Sequence, residues 1–136
     1  MPIPKFDREY LPQGYIRIED GVFTGMLFRP EYFALTAEEK AQICNGIGAD
    51  SGITKHFPDT IYGLDCRECG NCHDFDYWRG GNEEDRATAD RVFLHNLYVT
   101  IDKGSWWLRY LRKSRARTYY VALTLAGRSH FNYHAI

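Results

Sequence analysis

The feature that most constrains how this chain can fold is the Gly80-Gly81 pair, which separates two stretches of helical pattern. Residues from about 64 to 79 can form one helix. Asn82 predicts the start of the next, because its side chain can cap free N–H groups and the acidic residues after it suit the positive end of the helix dipole. The glycine pair therefore predicts two antiparallel helices. Apolar residues recur on the second at helical spacing, namely Ala89, Phe93, Leu97 and Ile101.

Two smaller elements are predicted before this pair. Residues 14–28 alternate in part between apolar and polar, and Asp20-Gly21 at their centre is typical of a hairpin turn. Thr36 and Glu39 have the spacing of a capping box, which predicts a short helix to about residue 44.

A third long helix is predicted over residues 106–126, after a break at Gly104. It places Trp107, Tyr110 and Leu111 on one face. At 136 residues the chain has the length of one ordinary domain. We therefore expect an all-α, mainly helical fold in a single domain (1–136), with a core of two antiparallel helices, a third C-terminal helix and a small N-terminal β-hairpin.

The charge balance of 17 basic and 18 acidic residues gives no overall bias toward nucleic acid, which we do not expect as a partner. Residues 109–117 are an exception, with five basic residues and no acidic one. This run is either a solvated helix face or a surface that attracts anionic head groups or nucleic acid, and Trp106 and Trp107 beside it suit an interfacial surface. The sequence predicts no membrane span and no signal peptide, which favours the cytoplasm.

The most informative chemistry lies on the first long helix. His73 and Tyr77 are four residues apart and share a face, while Asp74 is rotated by about a quarter-turn. Antiparallel packing brings Asp90 of the next helix to a similar height. A buried carboxylate at position 90 needs a partner, and one that fixes the tautomer of a histidine makes it a general base. The alternative is that these are surface residues, with Asp90 paired to Arg86.

The glycine-rich segment 44–52 predicts a loop that can turn several backbone carbonyls toward one point. Carbonyls and one carboxylate form an oxygen-only ligand set, which suits calcium rather than zinc. Asp74 is the carboxylate nearest to the histidine in sequence.

The His-Asp-x-x-Tyr sequence that begins at His73 resembles the core of the phospholipase A2 superfamily. The Arg-x-x-x-Asp-x-x-Phe sequence that begins at Arg86 is similar to the second catalytic helix of its bacterial and fungal members. Compact phage and bacterial members share an Asn-Gly-x-Gly loop, then Pro-Asp-Thr-x-x-Gly, then the His-Asp helix. The matching segments here are 45–48, 58–63 and 72–77, and the resemblance covers roughly residues 44–93.

The resemblance implies calcium-dependent hydrolysis of the sn-2 ester of glycerophospholipids at a phospholipid membrane surface, by a cytoplasmic or phage-associated protein. His73 would activate a water molecule, Asp90 would orient His73, and Tyr77 would hydrogen-bond to Asp90. The implied calcium ligands are Asp74 and the carbonyls near Gly46 and Gly48. One departure is Asp76, a carboxylate where secreted members have a cysteine.

Two other functions fit the sequence. One is a non-catalytic phospholipase A2-like binding protein or virion-associated structural protein on the same scaffold. The other is a small zinc or iron–sulfur module, because three cysteines follow a Cys-x-x-Cys-x-x-Cys pattern. A disulfide such as Cys44 with Cys69, or plain thiols, are the remaining states of the cysteines, which are Cys44, Cys66, Cys69 and Cys72.

Overall fold

The structure is a computed structural model that describes residues 3–44 and 59–134. This part of the chain is mainly helical, with four α-helices and two small antiparallel sheets of two strands each, which confirms the predicted fold class at that level. The helices are α1 (Ala37–Cys44), α2 (Arg67–Arg79), α3 (Glu83–Asp102) and α4 (Arg109–Ala126). The strands are β1 (Ile16–Arg17), β2 (Leu27–Phe28), β3 (Thr60–Ile61) and β4 (Leu64–Asp65).

The N-terminal hairpin is formed by β1 and β2, but its turn differs from the predicted one. The strands pair with Ile16 opposite Phe28. Beyond them, the Ile18 N–H donates to the Met26 carbonyl at 2.9 Å and the Gly25 N–H donates to the Ile18 carbonyl at 2.8 Å. The prediction of a tight turn at Asp20-Gly21 is therefore wrong: a longer loop joins the strands, because the pairing stops at Ile18 and Gly25.

A second hairpin, β3–β4, precedes α2, and its second strand occupies positions 64 and 65, which were predicted as the start of the helix. Its two turn residues, Tyr62 and Gly63, both have positive φ, at 47° and 80°, as in the turns that suit two-residue hairpins. Tyr-Gly is not a typical sequence for such a turn. The hairpin delays the start of α2 to Arg67 instead of about residue 64.

Both predicted N-caps are present. The Thr36 N–H donates to the Glu39 carboxylate at 2.9 Å and the Glu39 N–H donates to the Thr36 hydroxyl at 3.0 Å. Asn82 and Asp85 exchange the equivalent pair of bonds, both at 2.9 Å, at the start of α3. Each capping box satisfies N–H groups that the first helical turn leaves unpaired.

Helices α2 and α3 run antiparallel, as the side-chain contacts between them show. Cys69 Sγ lies 3.5 Å from Thr100 Oγ1, and one turn further along α2 His73 Nε2 lies 2.9 Å from Asp90 Oδ1. The partner residue number on α3 falls as the residue number on α2 rises. This arrangement brings the predicted site residues of the two helices to the same level.

Helix α4 packs against α3 and differs from the prediction at its start. Residues Trp106–Leu108 form a separate 3₁₀ turn, and α4 begins at Arg109. The face that carries Trp107, Tyr110 and Leu111 is exposed to solvent. The buried positions of α4 are Arg112, Ala116, Tyr120 and Leu123. Among the described residues, no helix combines the length and the apolar character that crossing a bilayer requires.

Candidate active site

The centre of the candidate site is a hydrogen bond between α2 and α3. His73 Nε2 lies 2.9 Å from Asp90 Oδ1, and only 1% of each residue is exposed. The antiparallel helix pair makes this contact possible, because it sets the middle of α2 opposite the first half of α3. The alternative in which Asp90 is a solvated surface carboxylate is therefore wrong.

Asp90 has two further partners on the same carboxylate. The Tyr77 hydroxyl donates to Oδ1 at 2.6 Å, and Arg86 Nη1 lies 3.4 Å from Oδ2. Arg86 is itself buried and binds Glu83 through Nε at 2.9 Å. Burial and the adjacent Asp90 raise the pKa of the Tyr77 hydroxyl, so Tyr77 is a neutral donor. His73, Tyr77 and Arg86 thus hold the carboxylate in one orientation.

The second ring nitrogen of His73, Nδ1, is buried and has no hydrogen-bond partner in the described ranges. An ionised Asp90 can only accept hydrogen bonds, so Nε2 carries the shared proton and Nδ1 presents a lone pair. A histidine in this tautomer can remove a proton from a water or hydroxyl that reaches Nδ1. The arrangement has the chemistry of an activated general base.

Asp74 is buried on α2 beside His73 in sequence. Burial raises the pKa of the Cys44 thiol to about 12, and the negative charge of Asp74 contributes to that rise. The Cys44 thiol donates to the Asn71 carbonyl at 3.5 Å, so the end of α1, where the glycine-rich segment begins, packs beside the turn of α2 that leads to Asp74. The predicted calcium-loop residues Gly46 and Gly48 lie outside the described residues.

Asp76, the carboxylate that departs from the secreted pattern, contacts the N-terminal hairpin. The Tyr15 hydroxyl donates to Asp76 Oδ2 at 2.7 Å, and Arg29 Nε lies 3.6 Å from Oδ1. Burial raises the pKa of Asp76 to about 6, although the Tyr15 bond, Arg29 and His73 all lower it. These two partners could not be predicted from the sequence, because they are far from Asp76 in the chain and lie outside α2.

Residues 127–134, the C-terminal segment, pack against Tyr77 at one end of the site. This contact was not predicted from the sequence. The Phe131 ring packs edge-on against the Tyr77 ring, with centroids 5.1 Å apart. A Cβ at Gly127 would lie within 2.3 Å of the Tyr77 hydroxyl oxygen and 3.0 Å from Arg86 Nη1. A glycine at this position therefore leaves room for the Tyr77–Asp90 hydrogen bond.

All four cysteines are free thiols, so the proposed Cys44–Cys69 disulfide is not formed. Burial raises the pKa of Cys66 to about 11 and raises that of Cys69 as well, which keeps both in the protonated form at neutral pH. Within residues 3–44 and 59–134, no three His, Cys, Asp or Glu side chains are arranged as a metal-binding group. The described cysteines therefore do not converge as a zinc module requires.

Comparison of this chain with family models, with curated proteins and with solved structures finds no match. The geometry around His73 and the short motifs that carry the phospholipase A2 resemblance are therefore the basis for proposing a function.

Proposed function

We propose that this protein is a calcium-dependent hydrolase of the sn-2 ester of glycerophospholipids, with His73 as the general base. The observation that carries the proposal is the state of His73. Its Nε2 is held by Asp90 at 2.9 Å, and its Nδ1 has no partner among the described residues. A purely structural buried histidine is expected to have both nitrogens satisfied.

The chemistry assigned to these residues is a proton transfer in two directions. A water molecule at Nδ1 gives its proton to His73 as its oxygen attacks the ester carbonyl. The imidazolium that forms is stabilised by Asp90, whose charge Tyr77 and Arg86 hold in place. His73 then returns the proton to the departing glycerol oxygen, so that one water and one ester give a fatty acid and a lysophospholipid.

The chain also contains the oxygen donors that calcium prefers. Asp74 would hold the ion together with carbonyls near Gly46 and Gly48, and its charge acts on Cys44, the first residue of the glycine-rich segment. When bound, calcium would supply positive charge that polarises the ester carbonyl. The nearby carboxylate and the glycine-rich sequence support this part of the proposal.

The test is release of sn-2 fatty acid from mixed zwitterionic and anionic phospholipid vesicles, with calcium and with a chelator. We expect the wild type to be active only with calcium. His73→Gln should lose at least about a thousandfold in rate, because the general base and its charged partner act as a unit.

His95→Gln is the matched control. His95, on α3, is a second buried histidine, but its Nε2 bonds to the Gly25 carbonyl at 3.1 Å and not to a carboxylate. We expect folded His95→Gln protein to keep activity within about threefold of wild type. A wild type that is folded and inactive on every lipid mixture would reject the hydrolase and favour a non-catalytic binding protein on this scaffold.

A further inference from the structure

A group of large apolar side chains is exposed where α4 begins. Trp106, Trp107 and Tyr110 are 78%, 66% and 76% exposed, and Leu111 is exposed beside them. Tyr62, at the tip of the β3–β4 hairpin, is exposed as well. We call these five residues the aromatic patch. Leaving so much apolar surface in water is unfavourable, and such patches in folded proteins are commonly binding surfaces.

The patch rests on a rigid support. Arg112, which is buried, donates to the carbonyls of Ile61 at 3.1 Å and Tyr62 at 2.6 Å. Arg115 Nη2 donates to the Tyr62 hydroxyl at 3.2 Å. These bonds join the hairpin to α4, so no loop has to become ordered before the patch can bind a partner.

The charge around the start of α4 is mainly positive. The β3–β4 hairpin adds the acidic Asp65 and Asp59, the second of which pairs with Arg67 at 3.5 Å. From residue 103 to the end of the sequence there is no Asp or Glu. Asp102 is the acidic residue directly before this segment, and it is shared by Arg109 at 3.3 Å and Lys113 at 2.8 Å, which leaves an excess of positive charge. Lys103 donates to a neutral carbonyl, that of Val22, at 3.0 Å. The basic residues on this side are Lys103, Arg109, Lys113, Arg115 and Arg117. Arg112 is buried beneath the patch, and Arg128, beyond the other end of α4, pairs with Glu83 at 3.4 Å.

We propose that the aromatic patch and the basic residues around it bind the surface of an anionic phospholipid bilayer. Trp and Tyr side chains combine an apolar ring with a polar N–H or O–H, which suits the boundary between head groups and acyl chains. Basic residues near an anionic membrane surface add electrostatic attraction to it. As an account of substrate delivery this inference rests on the proposed function, but the binding itself is measured without hydrolysis.

The charges favour a bilayer over a second copy of this chain. A symmetric dimer through this face would set one cation-rich patch against another, and like charges across an interface are unfavourable. An anionic bilayer presents the opposite charge and an apolar layer beneath it.

The experiment is co-sedimentation of the full chain with vesicles of diether phospholipids, which have no sn-2 ester to hydrolyse. We expect binding to vesicles containing phosphatidylglycerol, at least tenfold weaker binding to phosphatidylcholine alone, and weakening with added salt. The double variant Trp106→Ala/Trp107→Ala should bind at least tenfold more weakly than wild type.

Trp78→Ala is the matched control, because Trp78 is 57% exposed but lies near the C-terminal end of α2. It should bind like wild type. The chain has three tryptophans, so this variant keeps only Trp106 and Trp107, and its fluorescence should shift to the blue on vesicles. In the double variant Trp78 is the remaining tryptophan, and its emission should not shift.

Three results would overturn the inference: no binding by wild type, equal binding by wild type and the double variant, or a dimer that the double variant abolishes while vesicle binding is absent. His73→Gln should bind diether vesicles as wild type does. Binding without ester hydrolysis would therefore reject the proposed function alone, and hydrolysis without patch-dependent binding would reject this inference alone.

Discussion

The two ring nitrogens of His73 have different surroundings, and this difference defines the candidate site. Asp90 accepts a hydrogen bond from Nε2, whereas Nδ1 lacks a partner among the described residues. The carboxylate that fixes the tautomer is itself fixed by Tyr77 and Arg86. Each of these side chains orients its neighbour in the set. Removing one should therefore lower the rate of a reaction at His73 less, the further that side chain lies from His73.

At this scale we predict the effect of Tyr77→Phe. The variant deletes the hydroxyl that donates to Asp90 at 2.6 Å but leaves the His73–Asp90 bond intact. We expect it to lower the free energy of unfolding by about 1–2 kcal/mol, measured by urea denaturation. If the protein hydrolyses phospholipid, its rate should fall about tenfold, far less than with His73→Gln.

Tyr98→Phe controls for the loss of a hydroxyl from a buried tyrosine. Tyr98 is buried on α3, and no hydrogen bond from its hydroxyl to another described residue is present. We expect its stability to stay within about 0.5 kcal/mol of wild type. A Tyr77→Phe protein as stable as Tyr98→Phe would mean that the hydroxyl bond to Asp90 contributes nothing.

Among the elements, the connection between α2 and α3 controls the geometry of the site. The Asn132 carbonyl accepts from the Gly81 N–H at 3.0 Å, and the Asn132 N–H donates to the Tyr77 carbonyl at 3.2 Å. His134 Nε2 lies 2.7 Å from the Arg79 carbonyl. The C-terminal segment thus satisfies backbone groups at the end of α2 and holds the two helices at the spacing that His73 and Asp90 require.

For this connection we predict that Gly80→Ala is strongly destabilising. Gly80 has φ 72° and ψ −155°, a conformation that is almost restricted to glycine, and an added Cβ would lie within 1.8 Å of the Asn132 carbonyl oxygen. We expect a loss of about 3 kcal/mol or more in the free energy of unfolding, measured by urea denaturation, from backbone strain and displacement of the C-terminal segment together.

Gly21→Ala separates the two causes. Gly21 also has a positive φ, 89°, but no atom lies within 4 Å of an added Cβ. This variant should cost only the backbone strain, about 1 kcal/mol. Equal losses in the two variants would show that the contact with Asn132 does not stabilise the helix connection.

On the scale of the whole molecule, one buried cluster joins the N-terminal hairpin to the helical core. Asp76 of α2 accepts from Tyr15 at 2.7 Å and lies 3.6 Å from Arg29, whose guanidinium stacks 4.5 Å from the Tyr15 ring centroid. The cluster places an ionisable carboxyl where burial opposes its charge. The stability of the entire fold should therefore depend on the protonation of Asp76.

We predict that this dependence has an unusual sign for a carboxyl group. Burial raises the pKa of Asp76 from 3.8 to about 6 in the folded protein. The folded state therefore prefers the protonated form, and its stabilising contribution is complete below pH 3.8 and is lost as the pH rises through about 6. The pKa difference corresponds to about 3 kcal/mol.

The measurement is urea denaturation of wild type and Asp76→Asn from pH 3.5 to 7.5. Asparagine does not titrate, so the stability of wild type relative to the variant should fall as the pH rises, and the comparison cancels the other carboxyl groups. A relative stability that instead increases with pH would mean that attraction to Arg29 outweighs burial, and that the pKa of Asp76 is lowered.

The sequence alone determined which segments form helices, the two capping boxes and the level at which the two long helices meet, because these depend on local spacing and on the 3.6-residue period. His73, Tyr77 and Asp90 could be grouped in advance since they lie at set distances from the Gly80-Gly81 pair. The antiparallel contact between α2 and α3 follows from the same pattern.

The tertiary structure decided what local pattern cannot encode. Tyr15 and Arg29 reach Asp76 across 61 and 47 positions of the chain, and Phe131 reaches Tyr77 across 54. Local propensity carries no information about such pairs, because their contacts form only when separate elements pack. The Tyr62–Gly63 turn is held by Arg112 from α4, fifty residues away from Tyr62, and the hairpin that contains this turn occupies the positions where the helix was expected to begin.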